Sequence, residues 1–202
     1  MVEVSKLTVI ENDFVHEFNL HNQANIKQTY LLIPTSNLNT EVVFNVASHT
    51  NLSIKVIAIN YNQLEINAKF DINLVKDNNN CEIEMLCYGF DKSKSKIVSN
   101  VSVNQQTIKN KSLQKITGVL LSGECKIVGE PNLKIDALNV DAKHKLNIGS
   151  LDKNEIFYLM SKGIDKNEAK KIIINSYLIS LLDSLNEQEK KFCLKKVQER
   201  FG

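Results

Sequence analysis

Apolar residues recur at every second position in short runs through most of the chain. Examples are Leu7 and Val9; Phe14, His16, Phe18 and Leu20; Val42, Phe44 and Val46; Leu52, Ile54, Val56 and Ala58; Leu64 through Leu74; and Ile83, Met85 and Cys87. Such alternation, rich in β-branched and aromatic side chains, predicts half-buried strands. The separators NLNT, SHTN, NYNQ and DNNN supply turns through Asn and Asp rather than Gly and Pro. Many short strands with almost no helical pattern among them leave a sandwich, a barrel or a β-solenoid. Apolar pairs recur after gaps of roughly 10–20 residues, a scale compatible with solenoid coils. No strict repeat stands in the letters, so patterning alone favours the solenoid only slightly over the sandwich.

The last fifty or so residues change period. Asp152 with Glu155, Asp165 with Glu168, and Asn186 with Glu189 each have capping-box spacing ahead of a helical apolar pattern. A first helix is expected from about Lys153 to Lys162, stopped at Gly163 by a left-handed residue. A second starts near Lys166 and carries Ala169, Ile172, Ile173, Tyr177 and, beyond them, Leu181 and Leu182. A third carries Phe192, Cys193, Val197 and Phe201. The second is apolar on more than one side, so it is either sandwiched inside the domain or offers a face to a partner. The expected organisation is a β domain over residues 1–149 and a helical subdomain over residues 150–202.

Composition adds mostly exclusions. The 202 residues are 43% hydrophobic and 24% charged, ordinary for a globular protein. A net charge of +2, with no isolated basic block, argues against nucleic acid or an anionic membrane as partner. KDNNN at residues 76–80 and DKSKSK at residues 91–96 read as solvated turns. The start, MVEVSKLTVI, has no secretory pattern, and no apolar run reaches the roughly 18–20 residues that span a bilayer. Cys81, Cys87, Cys125 and Cys193 form no CxxC pair, which fits reduced thiols in a cytoplasm.

Enzyme motifs are missing: no phosphate loop, no GxSxG, no HExxH and no paired-cysteine zinc pattern. An enzyme on a β-helix is therefore the weakest reading. Two residues carry candidate chemistry. Counting back in twos from Ile148 puts His144 on one face with Leu146, Ala142, Val140 and Leu138. There it is either a core histidine bonded to a carbonyl or a ligand for iron or zinc. Cys125 shares a face with Leu121, Gly123 and Ile127 if that segment is a strand. It is either an inert buried thiol or a soft metal ligand.

Leu133–Ile135, His144, Gly149–Asp152, Phe157–Leu159, Ser161–Ile164 and Glu168–Ala169 follow in an order that resembles the C-terminal part of the SufB/SufD family, scaffold subunits of SUF iron–sulfur cluster assembly. The resemblance covers about residues 117–183, and the chain looks shortened at its N-terminus relative to that family. It implies a right-handed parallel β-helix followed by a small helical bundle. It implies a cytoplasmic scaffold that is not an enzyme and dimerises through the β-helix with a SufB/SufD-type chain, identical or not. The C-terminal helices would dock a SufC-type ATPase, with Phe157, Tyr158, Ile164, Ile173 and Tyr177 as contact candidates. A cysteine desulfurase system would supply sulfur. A transient iron–sulfur cluster shared with the partner chain would involve His144, with Cys125 the nearest thiol in sequence. Lys145 after the histidine, and Thr117 near the expected SufB-type cysteine, make the chain closer to the SufD type. The alternative is a metal-free β-solenoid interaction module.

Overall fold

The computed structural model describes residues 3–199, and the side chains of residues 5–199. Phe201, expected on the last helix, lies outside them. Eleven strands come first: β1 Glu3–Ile10, β2 Phe14–Leu20, β3 Asn25–Leu32, β4 Leu38–Val46, β5 Asn51–Asn60, β6 Glu65–Leu74, β7 Asn80–Gly89, β8 Lys94–Val103, β9 Ile108–Leu120, β10 Lys126–Ile135 and β11 Asn139–Ser150. Three helices follow: α1 Lys153–Ser161, α2 Lys166–Ile179 and α3 Glu187–Gln198. Odd strands form one sheet in the order β1-β3-β5-β7-β9-β11, and even strands a second in the order β10-β8-β6-β4-β2. Every pairing is parallel. Strands that alternate between two parallel sheets make a β-solenoid of about five turns, and the antiparallel sandwich is excluded.

The coils are unequal, which hides the repeat. Equivalent positions lie 26 residues apart at Asp13 and Asn39, 29 at Thr50 and Asn79, 31 at Asn79 and Asn110 and 32 at Asn100 and Asn132. The corners absorb the difference. Gln23, His49, Asn78 and Lys109 stack coil over coil in the left-handed region (φ 60°, 57°, 59° and 56°), as do Asn62 and Asp91 (φ 59° and 50°). Corner side chains accept backbone N–H groups from the adjoining coil. Asp13 takes that of Asn39, Asn79 that of Thr50, Asn110 that of Asn79 and Asp91 that of Asn62. The Asn-rich separators are thus rungs of a ladder. Two segments expected to be solvated turns are corrected by this. Asn79 is buried in its corner, and Ser93 and Ser95 are buried where DKSKSK runs into β8. NLNT likewise places Leu38 and Thr40 in β4, fully buried.

Alternation decides what each sheet buries. Tyr30, Leu32, Ile54, Val56, Ile83, Met85 and Ile116 from the odd sheet meet Val42, Phe44, Phe70, Ile72 and Val101 from the even sheet inside the solenoid. The other face of the odd sheet is apolar as well: Leu31, Ile33, Ile57, Ile59, Leu86, Tyr88 and Val119 pack against Ile174, Leu178, Leu181, Leu182, Leu185, Cys193 and Val197. The second halves of β3, β5 and β7 (YLL, VIAI and MLCY) are therefore continuous apolar runs, as expected of parallel strands covered on both faces. The Tyr88 hydroxyl donates to the carbonyl of Ile174 at 2.8 Å, pinning α2 to β7.

The helix boundaries follow their punctuation. Gly163 sits at φ 86°, and the N–H groups of Gly163 and Ile164 return to the carbonyls of Met160 and Leu159. Of the three expected capping boxes only Asn186 with Glu189 is reciprocal. Asp152 and Asp165 cap by accepting the N–H two residues on, from Asn154 and Asn167. Leu181 and Leu182 lie in the turn after α2 rather than on it, and both are buried.

Candidate functional site

The solenoid has no coil above β10 and β11 among the described residues, so β11 is a sheet edge twelve residues long. His144 stands on that edge, paired in register with Gln114 of β9, between Ala142 opposite Ser112 and Leu146 opposite Ile116. Its face is read from the neighbours. A Cβ added at Gly129 would meet Leu146, and one added at Gly118 would meet Ile148, so the even-numbered side chains of β11 turn into the solenoid. The histidine does share a face with Val140, Ala142, Leu146 and Ile148. It is nevertheless exposed, because no described residue lies over the last coil, and among the described residues its ring has no partner. The buried core histidine is therefore excluded. Leu138 does not belong to the row: it precedes β11 and is fully exposed.

Cys125 is held elsewhere. It closes the loop before β10, buried beside Gly89, and its thiol donates to the carbonyl of Ser122 at 3.3 Å. It is not on a strand with Leu121 and Gly123. Gln114, the row neighbour of His144, reaches across the solenoid to Asn132. Asn132 lies along β10 from Cys125 by about 23 Å of extended strand. The two candidate ligands do not meet within one chain. Thr117 is half-buried and faces outward under Tyr177. All four cysteines are free and buried. Burial pushes the thiols of Cys81 and Cys87 up to about 12 and that of Cys193 to about 11, which makes them inert. Among the described residues no three His, Cys, Asp or Glu side chains gather as a metal site.

The helical candidates divide. Phe157 and Tyr158 on α1 are 72% and 61% exposed, and α1 buries none of its residues. Ile164 and Tyr177 are half-buried. Ile173 is buried in its own chain, so it supports α2 from within and is not free for a partner. Between α1, the start of α2 and the ends of β9 and β11 runs an open groove of about 580 Å³. Leu121, Leu151, Ile156, Phe157 and Met160 line it, with Lys153, Lys166 and Lys170 on its rim. The lysines were missed because helix periodicity marks only the apolar side. Gln114 was missed although its signal was present, a polar residue at an inward position of an alternating row.

A family model described as "SUF system FeS cluster assembly, SufBD core domain" matches residues 12–177, from the start of β2 into α2. The chain belongs to this family. SufD of Escherichia coli (strain K12), an iron–sulfur cluster assembly protein, is 28% identical over 98 residues, 48% of this chain and 23% of that protein. SufD of Bacillus subtilis (strain 168) is 34% identical over 82 residues, 41% of this chain and 19% of that protein. A SufBD family protein of Methanothermobacter thermautotrophicus (strain Delta H) is 26% identical over 95 residues, 47% of this chain and 23% of that protein. The matched segments thus span about a fifth of these curated relatives. The SufD-type names agree with the SufD-type resemblance. The parallel solenoid followed by helices is the SufBD architecture that the residue series implied.

Proposed function

We propose that this SufBD chain is a SufD-type scaffold subunit of SUF iron–sulfur cluster assembly and not itself a catalyst. The family match over residues 12–177 carries this reading. The uncapped edge at β11 pairs with a second SufB/SufD-type chain, hetero or homo, since a long open strand edge is a ready template for another chain. His144 turns one imidazole toward that junction. A single imidazole cannot hold a cluster, so the cluster is cargo whose remaining ligands come from the partner chain. Cys125, buried and distant, takes no part in it. The groove beside α1 docks a SufC-type ATPase through Phe157, Tyr158 and Met160, and a cysteine desulfurase system supplies the sulfur.

Co-expression with the cognate ATPase tests the reading. Phe157→Ala with Tyr158→Ala is expected to weaken co-purification at least tenfold, as loss of exposed aromatic anchors does, without moving the melting temperature, because α1 buries nothing. Unchanged binding would remove the dock from α1. In anoxic reconstitution with iron, sulfide and the partner scaffold chain, His144→Ala is expected to lower cluster content. Equal content would remove His144 from the cluster site.

A further inference from the structure

The inward row of β9 changes character toward the open end. Where β5 and β7 place Ile54 and Ile83, β9 places Gln114, fully buried, with Ser112 beside it. The Gln114 Nε2 donates to the carbonyl of Asn132 at 3.0 Å across the solenoid. That bond fixes which end of the amide is which, because a carbonyl oxygen only accepts. The other end, Oε1, is then buried with no partner. Each buried amide oxygen left so, here also Gln28 Oε1 and Asn60 Oδ1, costs the stability of a lost hydrogen bond.

In a parallel ladder the side chains nearest in depth are the row neighbours on the adjacent strands, about 4.8 Å away. For Gln114 these are Ile83 on β7 and His144 on β11. Ile83 offers only carbon. His144 offers an N–H, stands on the same face, and has no partner of its own among the described residues. We infer that Gln114 is a positioning residue for His144. With the ring turned down onto it, its Oε1, unpartnered in this structure, accepts the N–H of one ring nitrogen and holds the imidazole in a single tautomer at the mouth of the solenoid. The second nitrogen is left with its lone pair directed outward, as a ligand for a borderline metal such as iron or zinc. The metal-binding clause rests on the reading of His144 given above; the hydrogen bond does not.

Imidazole ¹⁵N shifts of the full metal-free chain test it at a pH where the ring is neutral. One tautomer is expected to dominate by about tenfold, the scale a single hydrogen bond supplies. Gln114→Met, similar in shape but without the acceptor, releases the ring to an ordinary mixture, whereas Ser112→Ala, which removes a neighbouring buried polar atom, leaves it locked. A mixed tautomer in the wild-type chain, or a locked one that survives Gln114→Met, overturns the proposal. If Gln114→Met fails to fold, the wild-type spectrum still decides, and Gln114→Asn, with its acceptor drawn back, repeats the comparison. Cluster content of His144→Ala is a separate measurement, so failure of the ligand reading and failure of the Gln114 contact are told apart.

Discussion

Among the described residues Glu84 is the one carboxylate of the odd sheet buried under the helical layer, 8% exposed between Leu86 and Glu82 on β7. Burial by itself would raise its carboxyl. Hydrogen bonds from Lys115 and Lys55, and their charges, outweigh burial and hold it below the usual carboxylate value. A depressed carboxylate contributes stability above its unfolded value, near 4.3, and loses it as pH falls through the folded value. The protein is expected to lose stability on acidification below about pH 4, and Glu84→Gln to flatten that limb in denaturant titrations. At pH 7 Glu84→Ala leaves Lys55 with Glu82 alone and takes the carboxylate from the part-exposed Lys115, at a cost of about 1–2 kcal/mol. The same residue scale shows what the letters carried about the candidate site. The face of His144 followed from counting in twos. Its exposure did not, because no local signal says that the coil above is missing, and the distance to Cys125 did not, because strand length separates residues that loops bring near in sequence.

At the scale of the element, corners and caps carry the argument. Lys109 holds a left-handed conformation at φ 56°, stacked with Gln23, His49 and Asn78. An ordinary L-residue is disfavoured there by about 1–2 kcal/mol. Lys109→Asn, which relieves part of this, is expected to raise the unfolding free energy by about 0.5–1 kcal/mol, measured by urea titration. Asn186 closes the reciprocal cap of α3 with Glu189, so Asn186→Ala is expected to cost about 1 kcal/mol. Tyr88→Phe strips the buried bond that ties β7 to the Ile174 carbonyl. It is expected to cost about 1–2 kcal/mol and to speed amide exchange in α2 before the strands. Strand runs and helix stops were legible because Asn, Asp and Gly have local reasons to be where they are. The capping boxes at Asp152 and Asp165 were over-read: spacing permits a reciprocal bond, and Glu155 and Glu168 do not return it.

At the scale of the molecule, the helices are a second layer on the solenoid rather than an appendage. Leu31, Ile57, Ile59, Leu86 and Val119 face them, and Leu178, Leu181, Leu182 and Leu185 fill the other side. Deleting residues 150–202 is expected to bare that apolar face and give an aggregating product, read by light scattering, instead of a trimmed solenoid. The open end behaves differently. Leu138 is fully exposed and Leu146 half-exposed, so, if this edge pairs as proposed, Leu138→Glu with Leu146→Glu is expected to prevent that pairing while leaving the circular dichroism of the fold unchanged. Sedimentation reads the first effect; a dimer that persists would place the interface elsewhere.

The sequence by itself determined the local alphabet: strands of period two, Asn-built corners, three capped helices, and a residue series that marks the SufBD family. Each of these depends on neighbours a few positions away, so it survives in the letters. The tertiary structure alone decided that successive strands go to different sheets, that the coil grows from 26 residues at Asp13 to 32 at Asn100, and that the repeat is therefore invisible to a fixed period. It also decided that His144 lies over Gln114 at an unclosed end while Cys125 and Ile173 are sealed inside. Those facts depend on residues a whole coil or more apart, whose meeting is set by stacking and by what covers the last turn.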